Sequence, residues 1–466
     1  MLKRFSLFLA VIALLVGGVA PAVAQSGNSL TVLAPTSVQP VVEAWAAAFG
    51  EAHTDVSLNV EFVESSEEIL SRAANASVIL TDDPAAAPEL DFECGFISDV
   101  YVPLPGVGAW VIASNSCGGS VDPIDAAALD FAAFIVSADG QQVAIDQGAL
   151  PESVEIVDQA GMTVTIPQPV RRIASPYSMA TFYVYGVGAG DRLVVAGYLG
   201  VNSDATKDVM RAIDPNFDAL STAVSTLSQK EANIEELAAL EPDLLLASAR
   251  TDWLDAADEL GLAIIRFDGE SPEKLKEAMS LLGAVLGPNA AYRADEFNAY
   301  YDETLANILA QTEGIENPVR VYFSGTDALR AASADMYQTM MIEAAGGVSV
   351  SSDLAGYWND VNLEQIAVWN PDVIFFPPYG GASADAFAAP EWASIKAVQD
   401  GKVYGVPKLV APWDTPVPDS ILGIIWMAET LYPDQVDLDC PVEATNFYSR
   451  FYGYTVTESD LQSMCP

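Results

Sequence analysis

The sequence is poor in histidine and in basic residues. Among 466 residues there is one histidine, His53, and there are 20 Lys and Arg against 64 Asp and Glu, for a formal net charge of −44. A single histidine nearly excludes metal cages built from several imidazoles and Ser-His-Asp hydrolases, whose base must lie beside its nucleophile. A protein with this negative charge repels nucleic acid and anionic membrane surfaces. We therefore expect no nucleic-acid partner.

Long hydrophobic runs are missing except at the N-terminus. Lys3 and Arg4 precede an apolar run over residues 5–16, and small residues then lead to Ala-Val-Ala at 22–24. This order predicts a secretory signal peptide over residues 1–24. No later stretch of about twenty apolar residues could span a bilayer, and no cysteine follows the cleavage point to carry a lipid. We therefore expect a protein that is exported to the periplasm or the extracellular face of the envelope and is soluble after cleavage.

Cysteine is scarce and falls into two close pairs, Cys94 with Cys117 and Cys440 with Cys465. Export permits oxidation, so we predict two local disulfides; the alternative is four buried thiols. Neither pair has the C-x-x-C spacing of a zinc site. Because the G-x-x-x-x-G-K-[ST], H-E-x-x-H and G-x-S-x-G motifs are also missing, we expect no enzyme, no cofactor and no metal centre.

The chain begins, after the signal, with a short α/β region over residues 25–150. A strand at 30–34, an amphipathic helix with Trp45 and Phe49 on one face, and a strand at 56–62 alternate there. Strand–helix–strand alternation predicts a parallel sheet with covering helices.

A second α/β region follows a predicted linker at 151–158, and it contains an internal repeat. The segment 233–246 (NIEELAALEPDLLL) returns at 362–375 (NLEQIAVWNPDVIF). Each copy has the pattern of a capped helix, a Pro-Asp turn and a buried strand. The copies lie too far apart for a solenoid, so they predict two similar lobes, at 159–288 and 312–466.

A single long helix is predicted between the lobes, at residues 289–311. Phe297, Tyr301 and Ile308 fall at helical spacing there, and Pro288 precedes the stretch. A helix of that length spans roughly 35 Å at 1.5 Å per residue and allows little hinge motion. In open α/β sheets the ligand lies at the carboxyl ends of the strands, here in the cleft between the lobes.

Several short segments of the second region stand in an order typical of one family. They are residues 163–167, 172–175, 188–194, the two repeat copies, 344–347, 401–404 and the aromatic ending 447–454. On these segments the region from about 156 to 466 resembles the class III periplasmic binding proteins of ABC importers, the cobalamin, siderophore and iron-complex type. The resemblance implies two Rossmann-like lobes on a rigid helix that dock on a permease dimer in the membrane, and we expect a monomer.

The N-terminal region resembles the molybdate-type binding proteins through residues 30–34 and 131–151. It is too short to hold a second lobe, so it is expected to be a truncated lobe. Hydroxyls at two helix starts could hold a tetrahedral anion; the alternative is helix capping. These residues are Thr36, Ser37, Ser65 and Ser66.

Candidate ligand-binding residues follow the predicted strand ends. They are Ser175, Tyr177, Ser178, Tyr198 and Arg250 in lobe 1, and Ser324, Tyr357, Trp358, Tyr379 and Trp413 in lobe 2. A ring of Tyr and Trp with one Arg suits a bulky chelate, or an anion held by Arg250 and hydroxyls. For each aromatic residue the alternative is ordinary core packing.

Glu235 and Glu364 occupy the same place in the two repeats. If Asn233 and Asn362 cap the helices, the next glutamate or glutamine completes a capping box, which leaves these two carboxylates without a role in the cap. The family resemblance implies that they pair with arginines of the permease. The alternative is a favourable carboxylate at a helix N-terminus.

The sequence therefore predicts the solute-binding component of an ABC importer that captures a metal chelate of the ferric siderophore, haem or cobalamin class. The lone His53 disfavours haem with an axial histidine. Two alternatives stay open: a molybdate or tungstate binding protein, and, from another class, a sensory or adhesion module of the envelope.

Overall fold

The structure is a computed structural model that describes residues 28–72, 76–81, 123–226, 228, 230–269 and 271–465. The described chain forms three parallel-sheet bodies, and a helix of 25 residues joins the second to the third. The predicted α/β class, with two lobes on one long helix and an extra N-terminal lobe, is confirmed. Within these ranges no helix is both long and apolar enough to cross a membrane.

The N-terminal domain is a three-stranded parallel sheet of order β2-β1-β3 with helices against it. Its elements are β1 (Asn28–Pro35), α1 (Gln39–Ala52), β2 (Val56–Val63), α2 (Ser66–Arg72), β3 (Val78–Ile79), α3 (Pro123–Val136) and α4 (Ala138–Asp146). Trp45 and Phe49 face its core as the helical pattern predicted, and the indole N–H of Trp45 donates to the carbonyl of Gly140 at 2.7 Å. Cys94 and Cys117 lie outside the described residues, as does the predicted signal peptide.

Lobe 1 opens with an antiparallel hairpin that leads into a parallel sheet of order β7-β6-β8-β9. Its elements are β4 (Ser153–Val157), β5 (Thr163–Pro167), β6 (Ile173–Ser175), α5 (Ser178–Gly186), β7 (Leu193–Ala196), α6 (Asp204–Ile213), α7 (Phe217–Leu220), α8 (Ile234–Ala239), β8 (Leu244–Ser248), α9 (Leu254–Asp258), β9 (Ala263–Phe267) and α10 (Pro272–Leu286). The stretch 151–158 predicted as a linker thus contains strand β4, whose residues 153–157 pair with residues 163–167 of β5 in an antiparallel ladder.

The interlobe helix α11 runs over Pro288–Thr312, one residue beyond the predicted 289–311 at each end. Pro288 occupies the first turn, where a missing N–H costs nothing. Phe297, Tyr301 and Ile308 are all buried, as the helical spacing predicted.

Lobe 2 repeats the arrangement of lobe 1 with the strand order β12-β10-β14-β15. Its elements are β10 (Arg320–Phe323), β11 (Arg330–Ala332), α12 (Tyr337–Ala344), β12 (Val348–Ser349), β13 (Trp358–Asp360), α13 (Leu363–Trp369), β14 (Val373–Phe376), α14 (Ala384–Phe387), α15 (Lys396–Gln399), β15 (Val403–Gly405), α16 (Ser420–Leu431), α17 (Cys440–Tyr452) and α18 (Glu458–Met464). The two repeat copies form α8–β8 and α13–β14, so each supplies the third strand of its sheet.

The C-terminal helices are fastened by one disulfide. Cys440, at the start of α17, is bonded to Cys465, just after α18, with their Cα atoms 5.8 Å apart. The second predicted disulfide is thereby confirmed, and α17 in turn packs against α5 of lobe 1.

Candidate functional site

The interlobe cleft is expected at the carboxyl ends of β6 and β8 in lobe 1 and of β10 and β14 in lobe 2. Parallel strands bring their carboxyl ends to one edge, so side chains just beyond these strands converge there. Arg250 and Ser324 follow β8 and β10, whereas Ser175 ends β6, Ser178 begins α5 and Trp358 begins β13.

Arg250 and Tyr357 meet across the cleft. A guanidinium nitrogen of Arg250 donates to the hydroxyl of Tyr357 at 3.0 Å, and the guanidinium carbon lies 4.8 Å from the centre of the Tyr357 ring. Arg250 also pairs with Asp268 at 3.1 Å. Side chains of Arg250 and Asp268 are about half exposed, so this charged contact is open to solvent and to a ligand.

Ser324 and Trp358 stand next to this pair in lobe 2. Ser324 follows β10 and is fully buried, and its hydroxyl has no hydrogen-bond partner among the described residues. A Cβ on the adjacent Gly325 would lie 3.0 Å from the indole ring of Trp358. A larger residue at position 325 would therefore press against Trp358, which packs close to the backbone next to Ser324.

Tyr379 is hydrogen-bonded to the buried carboxyl group of Asp414. Its hydroxyl donates to Oδ2 of Asp414 at 3.0 Å, and the side-chain amide of Gln338 donates to the Asp414 carbonyl at 2.8 Å. Asp414 is fully buried, and burial raises the pKa of its carboxyl to about 6. Its Oδ1 has no partner within the described part of the chain, which is costly for a charged oxygen.

Trp413 lies in the core. It is fully buried, and its indole N–H donates to the hydroxyl of Tyr448 at 2.9 Å. Tyr448 and Tyr452 both donate to Asp419, at 2.8 and 2.5 Å. The side chain of Trp413 is thus packed in the core, which is the alternative that the sequence left open for each aromatic residue.

The lobe 1 hydroxyls and aromatic rings named from sequence are largely occupied by local contacts. Ser175 is fully buried and accepts from Thr181 at 2.9 Å. Tyr177 is buried with its hydroxyl 2.9 Å from the sulfur of Met179. The hydroxyl of Tyr198 lies 2.9 Å from that of Tyr185. Ser178 is the first residue of α5 and lies beside Gly197, at the end of β7.

A second contact between the lobes involves Lys408, which no sequence motif marks. Its ammonium donates to the carbonyl of Gly200 at 2.9 Å, and burial lowers its pKa. Close by, the hydroxyl of Tyr183 in lobe 1 donates to the carbonyl of Pro416 at 2.7 Å. Lys408 stands in a loop without periodicity, so no pattern could mark it.

Glu235 and Glu364 are exposed in the first turns of α8 and α13. Asn233 and Asn362 cap these helices by accepting the third N–H of each, at 3.2 and 2.8 Å. The expected capping box is wrong for α8, because the carboxylate of Glu236 accepts the N–H of Ser225 at 2.6 Å instead. That contact lowers the pKa of Glu236.

Two of the hydroxyls proposed for an oxyanion in the N-terminal domain, those of Thr36 and Ser65, make local contacts. Thr36 donates to the carbonyl of Val63 and lies 3.1 Å from the Glu64 carboxylate, so its hydroxyl proton is engaged by local acceptors. Ser65 accepts the N–H of Glu68 at the start of α2. The other two members, Ser37 and Ser66, lie in the turn Thr36–Val38 and at the first position of α2. Helix capping thus accounts for Ser65.

Comparison with known proteins gives a consistent result. The model of the family described as "Periplasmic binding protein" matches residues 173–409. The molybdate-binding protein MolA of Haemophilus influenzae is 24% identical over 328 residues, which cover 64% of this chain and 90% of that protein. An uncharacterized ABC transporter substrate-binding lipoprotein of Bacillus subtilis, YvrC, is 26% identical over 60% of this chain and 86% of its own length.

Solved structures share the fold. A periplasmic solute-binding protein from Veillonella parvula superposes with a TM-score of 0.59 at 24% identity, covering 67% of this chain and 96% of that one. The molybdate-bound MolA of Haemophilus influenzae gives a TM-score of 0.57 at 21% identity, covering 65% and 99%.

Proposed function

The chain belongs to the periplasmic binding protein family, the solute-binding components of ABC importers, and on that premise we propose that its ligand is a metal oxyanion of the molybdate or tungstate class. The predicted family and the prediction that the protein is not an enzyme are confirmed by this membership. The ligand would be held between the lobes, beside Arg250, Tyr357 and Ser324.

The contact between Arg250 and Tyr357 carries the proposal. A guanidinium and a phenolic hydroxyl, one from each lobe, stand 3.0 Å apart, and both can donate to a shared oxygen atom. The buried hydroxyl of Ser324, which lacks a partner among the described residues, offers a third donor. An anion bound by these groups would contact both lobes at once, and its local donors would act against the field of a chain with net charge −44.

The packing of the aromatic residues favours a compact ligand. Trp413 is fully buried, Tyr177 is buried, and Tyr198 packs edge-on against Phe217 with the ring centres 4.8 Å apart. These rings cannot line a wide pocket without repacking the core. The first relative named above is a molybdate-binding protein, which agrees with a small oxyanion.

A second candidate is a metal chelate. Tyr357 is 45% exposed and Trp358 half-buried at the same edge, and such a pair can cover the flat face of a larger complex. A chelate would have to separate Arg250 from Tyr357.

Calorimetric titration with molybdate, tungstate, sulfate, a ferric tricatecholate complex and cyanocobalamin separates these ligands. We expect binding of molybdate and tungstate, and Arg250→Ala should weaken it at least tenfold, about 1.4 kcal/mol. Arg211→Ala is the matched control, because Arg211 pairs with the exposed Asp208 and Asp218. If only the ferric complex binds, the ligand is a metal chelate and the oxyanion proposal is wrong. Elemental analysis with native mass spectrometry of protein purified without refolding identifies any metal carried along.

We also propose that Glu235 and Glu364 dock the two lobes on a permease dimer, with the protein acting as a monomer in the cell envelope after removal of residues 1–24. The support is their equivalent, exposed places in the two repeats. A sensory or adhesion role is the alternative, and uptake by variants with both glutamates replaced by lysine distinguishes the two.

A further inference from the structure

Two buried side chains, Gln141 and Arg192, join the N-terminal domain to lobe 1. Gln141 belongs to α4 and is 2% exposed; Arg192 precedes β7 and is 8% exposed. Each donates to a carbonyl of the other body. We infer that the N-terminal domain and lobe 1 form one rigid unit, clamped by these side chains at the base of the interlobe helix.

The two side chains share the same pair of carbonyl oxygens. The amide of Gln141 donates to Val136 of its own domain at 3.1 Å and to Leu286 of lobe 1 at 3.2 Å. The guanidinium of Arg192 donates to Leu286 at 2.7 Å and reaches Val136 at 3.5 Å. The two donors therefore cross-link the two bodies in both directions.

Both carbonyls stand at helix C-termini. Val136 is the last residue of α3 and Leu286 the last of α10. The last carbonyls of a helix lack partners within it, and the helix end carries partial negative charge. The guanidinium of Arg192 and the amide of Gln141 therefore pair with the carbonyls of Val136 and Leu286. Without these bonds, burial would leave both donors and both carbonyls unpaired.

The fit around the clamp is close. Gly287 has φ +99°, and a Cβ there would lie 2.4 Å from the Gln141 side chain. Asp139 of the N-terminal domain pairs with Arg171 of lobe 1 at 2.5 Å. Beside this tight contact the junction holds a mainly apolar cavity of about 160 Å³, lined among others by Ile145 of the N-terminal domain, Val154 of lobe 1 and Ala291 of α11.

The position of the clamp gives it a mechanical consequence. Leu286 is joined through Gly287 alone to Pro288, where α11 begins. Any swing of α11 against lobe 1 must bend the chain at this point. The N-terminal domain thus resists bending of the chain at the point where α11 leaves lobe 1.

Gln141→Glu in the full chain tests the clamp, because it replaces a donor by an acceptor of equal size that faces two carbonyls. The control is Gln142→Glu, the next residue of α4, whose amide contacts only Asp146 at 2.9 Å in the described structure. We expect hydrogen exchange of peptides covering 136–146 and 283–295 to become about tenfold faster or more in Gln141→Glu. Exchange in β10 and β14 should stay unchanged.

Equal exchange at both junction peptides in Gln141→Glu and Gln142→Glu would overturn the inference. If Gln141→Glu also loosens lobe 2, Gln141→Met decides, because it removes the donor without adding a charge and should speed exchange at the same junction peptides alone. No acceleration at the junction in Gln141→Met would then overturn the clamp. Neither readout depends on the ligand.

Discussion

Arg320 makes in lobe 2 the contacts that Arg172 makes in lobe 1. Each guanidinium donates to a carbonyl at the end of the repeat helix, Arg172 to Leu240 at 2.6 Å and Arg320 to Trp369 at 2.9 Å. Each backbone N–H donates to the aspartate of the Pro-Asp turn, at 2.9 and 3.0 Å. The repeated turn is therefore tied to the neighbouring strand in the same way in both lobes.

This equivalence makes a prediction about stability. Arg172→Met and Arg320→Met each remove a charged donor from a helix C-terminus, and we expect each to lower the free energy of unfolding by about 1 kcal/mol. Because the sites lie in different lobes, the double variant should show the sum of the two effects. Urea unfolding measures all three, with Arg211→Met as the control. A double variant no less stable than either single one would contradict the equivalence.

The two tryptophans named for the cleft should behave differently. Ligand binding should change tryptophan fluorescence through Trp358, which lies half-buried beside Ser324, so Trp358→Phe should abolish most of the change. Trp413→Phe removes the bond to Tyr448 and leaves a small cavity, so we expect it to cost about 1–3 kcal/mol of stability with ligand affinity unchanged. A fluorescence response carried by Trp413 would reverse this assignment.

The sequence could predict the fold further than it could predict the cleft. The repeat at 233–246 and 362–375 combines a helical spacing of apolar residues with a Pro-Asp turn and a buried strand. That pattern is enough to predict two lobes and both asparagine caps. Trp358 and Trp413 have no such pattern around them. Trp413 lies in the loop that carries Lys408 and Asp414, and that loop is ordered by tertiary contacts to Gly200 and Tyr379. The burial of Trp413 therefore could not be predicted from sequence spacing.

The docking proposal predicts a loss of transport without loss of binding. Glu235→Lys and Glu364→Lys leave Asn233 and Asn362 as caps, so each should cost only the helix-dipole contribution, about 0.3–1 kcal/mol. Each substitution, however, places a positive charge opposite the basic residues of a permease, and the two would repel each other. Uptake of radiolabelled molybdate or tungstate by cells that carry the cognate permease should fall sharply, and calorimetric affinity should stay unchanged.

Glu313→Lys, an exposed position at the end of α11, is the matched charge reversal for that experiment. Normal uptake by the double variant Glu235→Lys with Glu364→Lys would remove the docking role and bring the sensory alternative forward.

Glu429 makes stability depend on pH. Burial, with Asp439 and Glu443 nearby, raises the pKa of this carboxyl to about 7, although the N–H of Cys440 donates to it at 3.1 Å. The unfolded chain releases this proton near pH 4.3. The folded protein therefore holds one proton more between about pH 4.3 and 7, so this group lowers stability as the pH rises through that window. The penalty is complete above pH 7.

Glu429→Gln keeps the acceptor for Cys440 and cannot ionise, so it isolates this effect. We expect it to be more stable than the natural chain by about 1 kcal/mol at pH 8, a value reduced for partial solvent exposure, and equally stable near pH 4. Urea unfolding at both values measures the difference, and comparison with the exposed Glu391→Gln corrects for the loss of one negative charge from a strongly acidic protein. A stability gain that persists at pH 4 would mean that the substitution improves packing instead, and the proton linkage at Glu429 would be wrong.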